Sequence, residues 1–327
     1  MPYQGKQVVV TGGSGFIGSN LTLRLVREGA RVTVIDPCVP GCGGDARNLN
    51  DVLDRVRILG VDIAQPAVFE GAIREADVIF NLAGEISHIH SMLNPERDLQ
   101  LNTTSQLRFL QACADWNPGV RVVFAGTRQV YGVPEYLPVD EDHPINPVDF
   151  NGVHKYAATM YHLMLSRMGL LDACVLRLTN IYGPRMSLTV PGQGFLSTYL
   201  RKLNMGHPLE VYGDGSQLRD PLYVDDAVDA FLLVGSTRPL PSRSYNIGGP
   251  EALSLLEITR IACAAGGQPE PTLRPFPAEC ASIDIGSYRT DWSRIQAELG
   301  WAPKIRFEDG FARALGYYRR HTAASGR

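Results

Sequence analysis

The feature that most constrains this chain is a cluster of glycines near its start, set between an apolar run and a helical pattern. Three valines at positions 8–10 lead into a segment with glycine at positions 12, 13, 15 and 18. A β-branched run that ends in glycines and continues at once as a helix predicts a strand, a tight turn and a helix. Gly12 suits the sharp turn, Gly15 the close approach of a pyrophosphate, and Gly18 the packing of helix against strand.

The next elements extend this unit. A helix is predicted over Phe16–Glu28, and a second strand over Arg31–Ile35 ends at Asp36. The helix start offers unpaired N–H groups to phosphates, and Asp36 stands at the spacing of a carboxylate that binds ribose hydroxyls. The pattern therefore predicts a dinucleotide site. NAD is expected rather than NADP, because Asp36 would repel a 2′-phosphate and no arginine follows it directly.

Composition excludes several classes of function. The 327 residues carry a net charge of −3 with acids and bases interspersed, which leaves no electrostatic footprint for nucleic acid or an anionic membrane. No apolar run approaches transmembrane length, and the first residues lack a signal-peptide layout. The six cysteines are scattered without metal-ligand spacing, so no metal site is predicted. A soluble, cytoplasmic protein is expected.

Strand and helix patterns alternate through the first half of the chain. Four further strands are predicted, at 56–61, 77–82, 121–125 and 173–178, with helices from Pro95 to about Ala114 and over Gly152–Met168. Such alternation predicts an α/β fold with a doubly wound parallel Rossmann sheet. We expect residues 1–180 to form the NAD-binding domain. Glycine and proline become frequent afterwards, and 181–327 is expected to be a smaller, loop-rich substrate-binding region, with parts near 223–247 returning to the main sheet.

The predicted helix Gly152–Met168 is apolar over more than one stripe. A helix of this kind needs burial on two sides, and the sheet supplies one of them. The second side could be covered by a partner subunit, which predicts a homodimer, or by the chain's own residues.

Several downstream segments carry a resemblance to a known family. Asn81-Leu82-Ala83-Gly84, Arg177–Arg185, Tyr212–Asp220, Tyr223-Val224-Asp225-Asp226 and Leu299–Pro303 accompany the glycine loop. With these segments the chain resembles the extended short-chain dehydrogenase/reductases, in particular the NAD-dependent nucleotide-sugar epimerase/dehydratase family of the UDP-glucose 4-epimerase type. The resemblance covers nearly the whole chain.

The resemblance implies roles for particular residues. Asp62 matches the residue beside the adenine, Lys155 the lysine that holds the nicotinamide ribose, and Thr127 the residue that hydrogen-bonds the reacting sugar hydroxyl. The complete implied cofactor set is Gly12, Gly15, Phe16, Ile17, Gly18, Asp36, Asp62, Ile63, Leu82, Ala83, Gly84, Asn102 and Lys155. The implied substrate set is Glu85, Thr127, Asn180 and Arg219, of which Asn180 and Arg219 match positions that grip a diphosphate.

One departure from the family pattern concerns the catalytic base. The family carries Tyr-x-x-x-Lys, whereas this chain has Asn151 four residues before Lys155. An asparagine cannot take a proton as a phenolate can. Three substitutes stay open at this point: His154, which lies near that helical face; Glu85, which follows the fourth strand; and a water held by Asn151 and Thr127.

Two further departures narrow the reaction. Related dehydratases place Asp-Glu directly after the position of Thr127, where this chain has Arg128-Gln129. Relatives also carry an arginine in a late segment that reads Phe276-Pro277-Ala278-Glu279-Cys280 here. The first change disfavours a 4,6-dehydratase. The second leaves the nucleotide base open.

The leading interpretation is an NAD-dependent nucleotide-sugar epimerase, which oxidises a ring hydroxyl to a ketone and then reduces it with the same bound cofactor. C4 epimerases are the most frequent in the family, and a C2 epimerase of CDP-deoxysugars also fits. A nucleotide-sugar dehydratase or 4-keto reductase is the enzymatic alternative. A protein that binds NAD and a sugar nucleotide without catalysis is the alternative from another class, and Asn151 is its support.

Overall fold

The structure is a computed structural model that describes residues 1–39, 42–190, 194–276 and 283–324. Its centre is a parallel sheet of seven strands in the order β11-β6-β5-β4-β1-β2-β3. These strands are β1 Gln7–Thr11, β2 Arg31–Ile35, β3 Val56–Leu59, β4 Val78–Asn81, β5 Arg121–Thr127, β6 Asp172–Leu178 and β11 Ser244–Ile247. The predicted α/β fold with a parallel doubly wound sheet is confirmed.

Helices cover the sheet and continue into the second half of the chain. They are α1 Phe16–Arg27, α2 Glu70–Glu75, α3 His88–Leu93, α4 Pro95–Leu99, α5 Ser105–Trp116, α6 Phe150–Arg167, α7 Phe195–Asn204, α8 Val224–Ser236, α9 Leu255–Gly266, α10 Ser293–Leu299 and α11 Phe307–Ala324. Short strands pair outside the main sheet: β7 Ile181–Tyr182 with β10 Leu222–Tyr223, β8 Glu210–Tyr212 with β13 Thr272–Arg274, and β9 Leu218–Arg219 with β12 Leu253–Ser254.

The core lies on both faces of the sheet. One apolar cluster includes Leu25 from α1 and Phe231 from α8, and a second, on the other face, includes Ile73 from α2 and Phe109 from α5. Because both faces are covered, the central strands are almost entirely apolar, as in β4, where all residues are buried. A third cluster joins α7, α9 and α11 beside the sheet.

Two helix boundaries differ from the sequence prediction for local reasons. The helix predicted from Pro95 is divided into α4 and α5 by a π-helical turn, Gln100–Thr104. The Ser105 hydroxyl donates to the carbonyl of Gln100 at 2.8 Å, and such wide turns are frequent at functional sites. Helix α6 begins at Phe150, ahead of Gly152, because the carboxylate of Asp149 caps it by accepting from the Gly152 N–H at 2.6 Å.

The strand order places a crevice at the carboxyl edge of the sheet. The chain moves from β1 outward to β2 and β3, then returns to the other side of β1 with β4. Ligands of open α/β sheets bind where this reversal occurs. The division of the chain at residue 180 stays a prediction. Within the described ranges, no helix is both long and apolar enough to cross a membrane.

Candidate active site

A cavity of about 530 Å³ opens at the carboxyl edge of the sheet. The glycine loop and Asp36 line one end, and Thr127 and Lys155 line the middle. Asn180 and Arg219 contribute to the same lining from the segment after β6 and from β9. The fold therefore brings residues from distant parts of the sequence to one continuous space.

The glycine loop leaves room that side chains would fill. A Cβ atom at Gly18 would lie 2.2 Å from the carbonyl oxygen of Gly12, and one at Gly12 would lie 2.8 Å from the carbonyl oxygen of Leu82. Gly12 has a φ of +66°, which a glycine adopts without strain. Helix α1 starts after Gly15 without a side-chain cap, so its first N–H groups are free to bind an anion.

Two carboxylates follow the neighbouring strands. Asp36, after β2, accepts from the Ser14 N–H at 2.9 Å and from the Cys38 N–H at 2.8 Å. Each of its oxygens keeps a second lone pair, which can accept from a ribose hydroxyl. Asp62 also lines the cavity and accepts from the Ala64 N–H at 2.7 Å. These positions and the bare helix start fit a dinucleotide.

A buried polar network fixes the loop after β4. The Thr11 hydroxyl donates to the side-chain oxygen of Asn81 at 2.7 Å and accepts from the Leu82 and Ala83 N–H groups. Gln106 completes the network by donating to the carbonyl of Ala83 at 2.8 Å. Loop residues 82–84 are therefore held in place and form one wall of the cavity. A cofactor site needs such rigid positioning.

Asn102 lies behind this wall and does not itself line the cavity. Its Oδ1 accepts from the Glu85 N–H at 3.1 Å, while its Nδ2 is buried without a partner. A Cβ at Gly84 would lie 2.5 Å from that Oδ1 and 3.2 Å from the amine of Lys155. Glycine at position 84 is thus required for this close approach.

The amine of Lys155 is buried. Burial lowers the pKa of Lys155, while the nearby carboxylates of Asp98 and Glu85 act to raise it.

Asn151 lines the cavity, but its amide group is engaged by the protein. Its Nδ2 donates to Oδ2 of Asp98 at 2.9 Å and to the carbonyl oxygen of Glu85 at 3.0 Å. The other carboxylate oxygen of Asp98 lies 2.7 Å from Nδ1 of His154. Asp98 is only 2% exposed. It therefore ties Asn151 and His154 into one buried network, and His154 does not line the cavity.

Glu85 also does not line the cavity. Its Oε2 accepts from the Cys42 thiol at 3.4 Å and lies 3.9 Å from Nε of Arg97. Its backbone, rather than its carboxylate, contacts Asn151 and Asn102.

The structure adds a pair that the sequence analysis did not single out. His88, in the first turn of α3, lines the cavity, and its Nδ1 lies 3.0 Å from Oδ2 of Asp149. The two atoms are at ion-pair distance, although the ring is not aligned for an ideal hydrogen bond. Gln129 donates to the same carboxylate oxygen at 3.1 Å. Burial acts to raise the pKa of Asp149, but contacts with His88 and the Gly152 N–H outweigh it and lower the pKa.

The far end of the cavity has two buried guanidinium groups, Arg128 and Arg219, with Asp284 in the same lining 3.8 Å from Arg219. Burial and the neighbouring charge of Arg128 lower the pKa of Arg219 to about 10. Burial also lowers the pKa of Arg128, which stacks over the ring of Tyr288 at 4.7 Å. One nitrogen of Arg128 and Oδ1 of Asn180 are buried without partners. Two desolvated guanidinium groups at one end of a cavity fit a diphosphate.

Most of the predicted site residues thus meet at one cavity, although their roles stay predictions. Asn102, His154 and Glu85 are the members that do not line it, and each lies directly behind the lining. In the late segment that departs from the family pattern, Phe276 lines the cavity, while 277–280 fall outside the described residues.

Comparison with known proteins finds relatives over nearly the whole chain. The sequence model of the NAD dependent epimerase/dehydratase family matches residues 8–248. The UDP-glucose 4-epimerase of Mycolicibacterium smegmatis is 32% identical over 320 residues, which are 96% of this chain and 98% of that protein. The UDP-glucuronic acid decarboxylase 1 of Danio rerio is 30% identical, over 96% of this chain and 73% of that protein.

A solved structure shows the same fold. The UDP-glucose 4-epimerase of Thermus thermophilus, in complex with NAD, has a TM-score of 0.83 at 28% identity, covering 95% of this chain and 98% of that one.

Proposed function

Because the chain belongs to the NAD-dependent epimerase/dehydratase family, we propose that it is a nucleotide-sugar epimerase that keeps NAD bound through each turnover. The observation that carries the proposal is the continuity of the cavity. One end of the cavity has the uncapped N-terminus of α1 and Asp36, the carboxylate that we assign to the ribose. The other end has the two buried guanidinium groups of Arg128 and Arg219. The space between them, at Thr127, is where a sugar ring would meet the nicotinamide.

NAD is the cofactor of this family, and the residues present fit it. The N–H groups at the start of α1 would bind the pyrophosphate, Asp36 the adenosine ribose, and Lys155 the nicotinamide ribose. When bound, NAD accepts a hydride from the sugar carbon and later returns it. The protein's own groups hold the sugar through Thr127 and its diphosphate through Asn180, Arg128 and Arg219, and they move the hydroxyl proton.

The substrate end favours epimerisation over dehydration. A dehydratase needs an acid for the leaving hydroxyl and a base for the adjacent carbon. After Thr127 the chain supplies Arg128, which is buried against Tyr288, and Gln129, whose amide is bonded to Asp149. Neither side chain can perform proton transfer of that kind.

The first test is the conversion of a defined panel of substrates. The purified protein is extracted to identify its cofactor by absorbance and mass, then incubated with UDP-, GDP-, CDP- and TDP-sugars in D₂O and followed by NMR. A C4 epimerase yields the epimer without deuterium in the ring, because the hydride that leaves the carbon returns to it. A dehydratase yields a 4-keto-6-deoxy sugar that contains solvent deuterium.

Controls separate catalysis from binding. Thr127→Val removes the hydroxyl that we assign to the substrate, and we expect it to lose turnover while retaining NAD. Arg201→Ala, on the exposed surface of α7, serves as a matched surface variant and should behave as the wild type. Tight binding of several sugar nucleotides to the NAD-loaded protein with no conversion of any would refute the epimerase and favour a binding protein.

A further inference from the structure

We infer that His88 is the catalytic base of this protein and that Asp149 positions it, in place of the family's tyrosine. The inference rests on the proposed epimerase function. It starts from a requirement of the reaction: a hydroxyl cannot become a ketone unless a group near the cavity takes its proton. Asn151 cannot take that proton, and its amide is already committed to Asp98 and Glu85.

The other side chains considered as bases face elsewhere. His154 directs Nδ1 to Asp98, and the carboxylate of Glu85 faces Cys42 and Arg97. His88 differs from both because it lines the cavity. Of the seven histidines, all within the part of the chain that the structure describes, it is the one in the cavity lining.

Two independent links hold His88 next to the site of the missing tyrosine. Its ring contacts Asp149, which stands two residues before Asn151 and caps the same helix. The Ser91 hydroxyl donates to the carbonyl of His88 at 2.7 Å and accepts from the Asn151 N–H at 3.2 Å. Helix α3 is therefore docked on the start of α6, and His88 and Asn151 line the same cavity.

The contact with Asp149 determines which nitrogen is available. An ionised carboxylate only accepts, so its position 3.0 Å from Nδ1 favours the tautomer with the proton on Nδ1, although the ring is not aligned for an ideal hydrogen bond. In that tautomer Nε2 keeps a free lone pair. Nδ1 is buried, yet 34% of the His88 side chain is exposed, so the exposure belongs to other atoms of the residue. A carboxylate that orients an imidazole toward a reacting hydroxyl is a known solution for proton transfer.

Atoms and electrons balance in this step. The O–H bond of the sugar breaks, and its proton goes to Nε2 of His88. Bound NAD would supply the two-electron oxidant, since its nicotinamide would accept the hydride of the same carbon. The resulting imidazolium faces Asp149, and the proton returns to the oxygen when the ketone is reduced from its other face.

The kinetic test compares His88→Gln with His90→Ala. His90 lies on the same helix but is exposed and outside the cavity lining, so its variant is the matched control. We expect His88→Gln to lose about 10²–10⁴-fold in turnover, the usual contribution of a general base. Its NAD content and its affinity for the sugar nucleotide should match those of the wild type, and His90→Ala should keep full turnover. Wild-type turnover in His88→Gln, or a loss that only follows weakened binding, would overturn the inference.

A second readout does not depend on turnover. In ¹⁵N-histidine-labelled protein, the His88 signals are assigned by their absence from His88→Gln. We expect the neutral ring to carry its proton on Nδ1, and to shift toward the Nε2-protonated form in Asp149→Asn, which retains a helix-capping side chain. A ring protonated at Nε2 in the wild type, unchanged by Asp149→Asn, would refute the pairing. If the wild type converts no sugar nucleotide, the proposed function fails and the role as a base fails with it, whereas the tautomer still decides the pairing.

Discussion

The sharpest test of the predicted NAD site at the glycine loop is Gly18→Ala, which adds one methyl group. A Cβ there would lie 2.2 Å from the carbonyl oxygen of Gly12, about 1 Å short of ordinary van der Waals contact. The obstacle is backbone, and the same oxygen accepts from the Gly15 N–H at 3.1 Å, so the turn and the helix start must move together. Overpacking of this kind costs about 1–3 kcal/mol. We therefore expect Gly18→Ala to weaken NAD binding by about 5- to 150-fold.

The assay is calorimetric titration of NAD into NAD-depleted protein, with thermal unfolding of the depleted protein as a check on the fold. Gly71→Ala is the matched control, because Gly71 lies in α2 and no atom comes within 4 Å of its added Cβ. It should bind NAD as the wild type does. Equal NAD affinity in Gly18→Ala and the wild type would refute the argument, as would an equal loss in Gly71→Ala.

Cofactor choice, substrate binding and assembly each give a further prediction. The wild type should bind NAD at least tenfold more tightly than NADP. In competition titrations, Asp36→Ala combined with Pro37→Arg should reduce this ratio of NAD affinity to NADP affinity. Tighter NADP binding by the wild type would contradict the role of Asp36. Arg219→Ala should weaken sugar-nucleotide binding by about 10- to 100-fold, the value of a charged hydrogen bond, with NAD content unchanged, and Arg201→Ala should have no effect in the same titration. Light scattering should find a dimer formed through α6, where Val153 and Met164 are 47% and 41% exposed. The double variant Val153→Glu with Met164→Glu should be a monomer. A wild-type monomer at micromolar concentration would exclude a dimer contact through α6.

The local parts of the site could be predicted because their signals are short in sequence. The glycine loop requires a strand before it and a helix after it, and both lie within residues 7–27. Strand boundaries were accurate to within two residues because most strand residues are apolar and the central strands are buried on both faces. The carboxyl ends of parallel strands share one edge, so residues such as Thr127 could be assigned to the crevice from the strand pattern alone.

Contacts between segments that are distant in the sequence could not be predicted, because no local sequence pattern indicates them. Asp98 is an ordinary acid in a short helix, and only the fold shows that it is buried between Asn151 and His154. His88 follows β4 by a few residues, so its place near the crevice could have been inferred, as it was for Glu85. Its contact with Asp149 could not, because it depends on how α3 docks on α6. The π-turn at Gln100–Thr104, across which the Ser105 hydroxyl bonds the Gln100 carbonyl, also lacks a propensity signal.

Asn151 and His88 are held by one set of contacts at the start of α6. Asn151 is only 1% exposed, and its Nδ2 donates a hydrogen bond to the buried carboxylate of Asp98. A tyrosine there has no amide to donate, so it would leave the buried Oδ2 of Asp98 without this donor, a destabilising effect of about 1–3 kcal/mol. The amide of Asn151 is therefore part of the buried contacts around it. The Asn151 N–H bonds Ser91 of α3, and the Asp149 carboxylate lies 3.0 Å from the His88 ring, so the residues at the start of α6 also determine where the imidazole lies in the cavity lining.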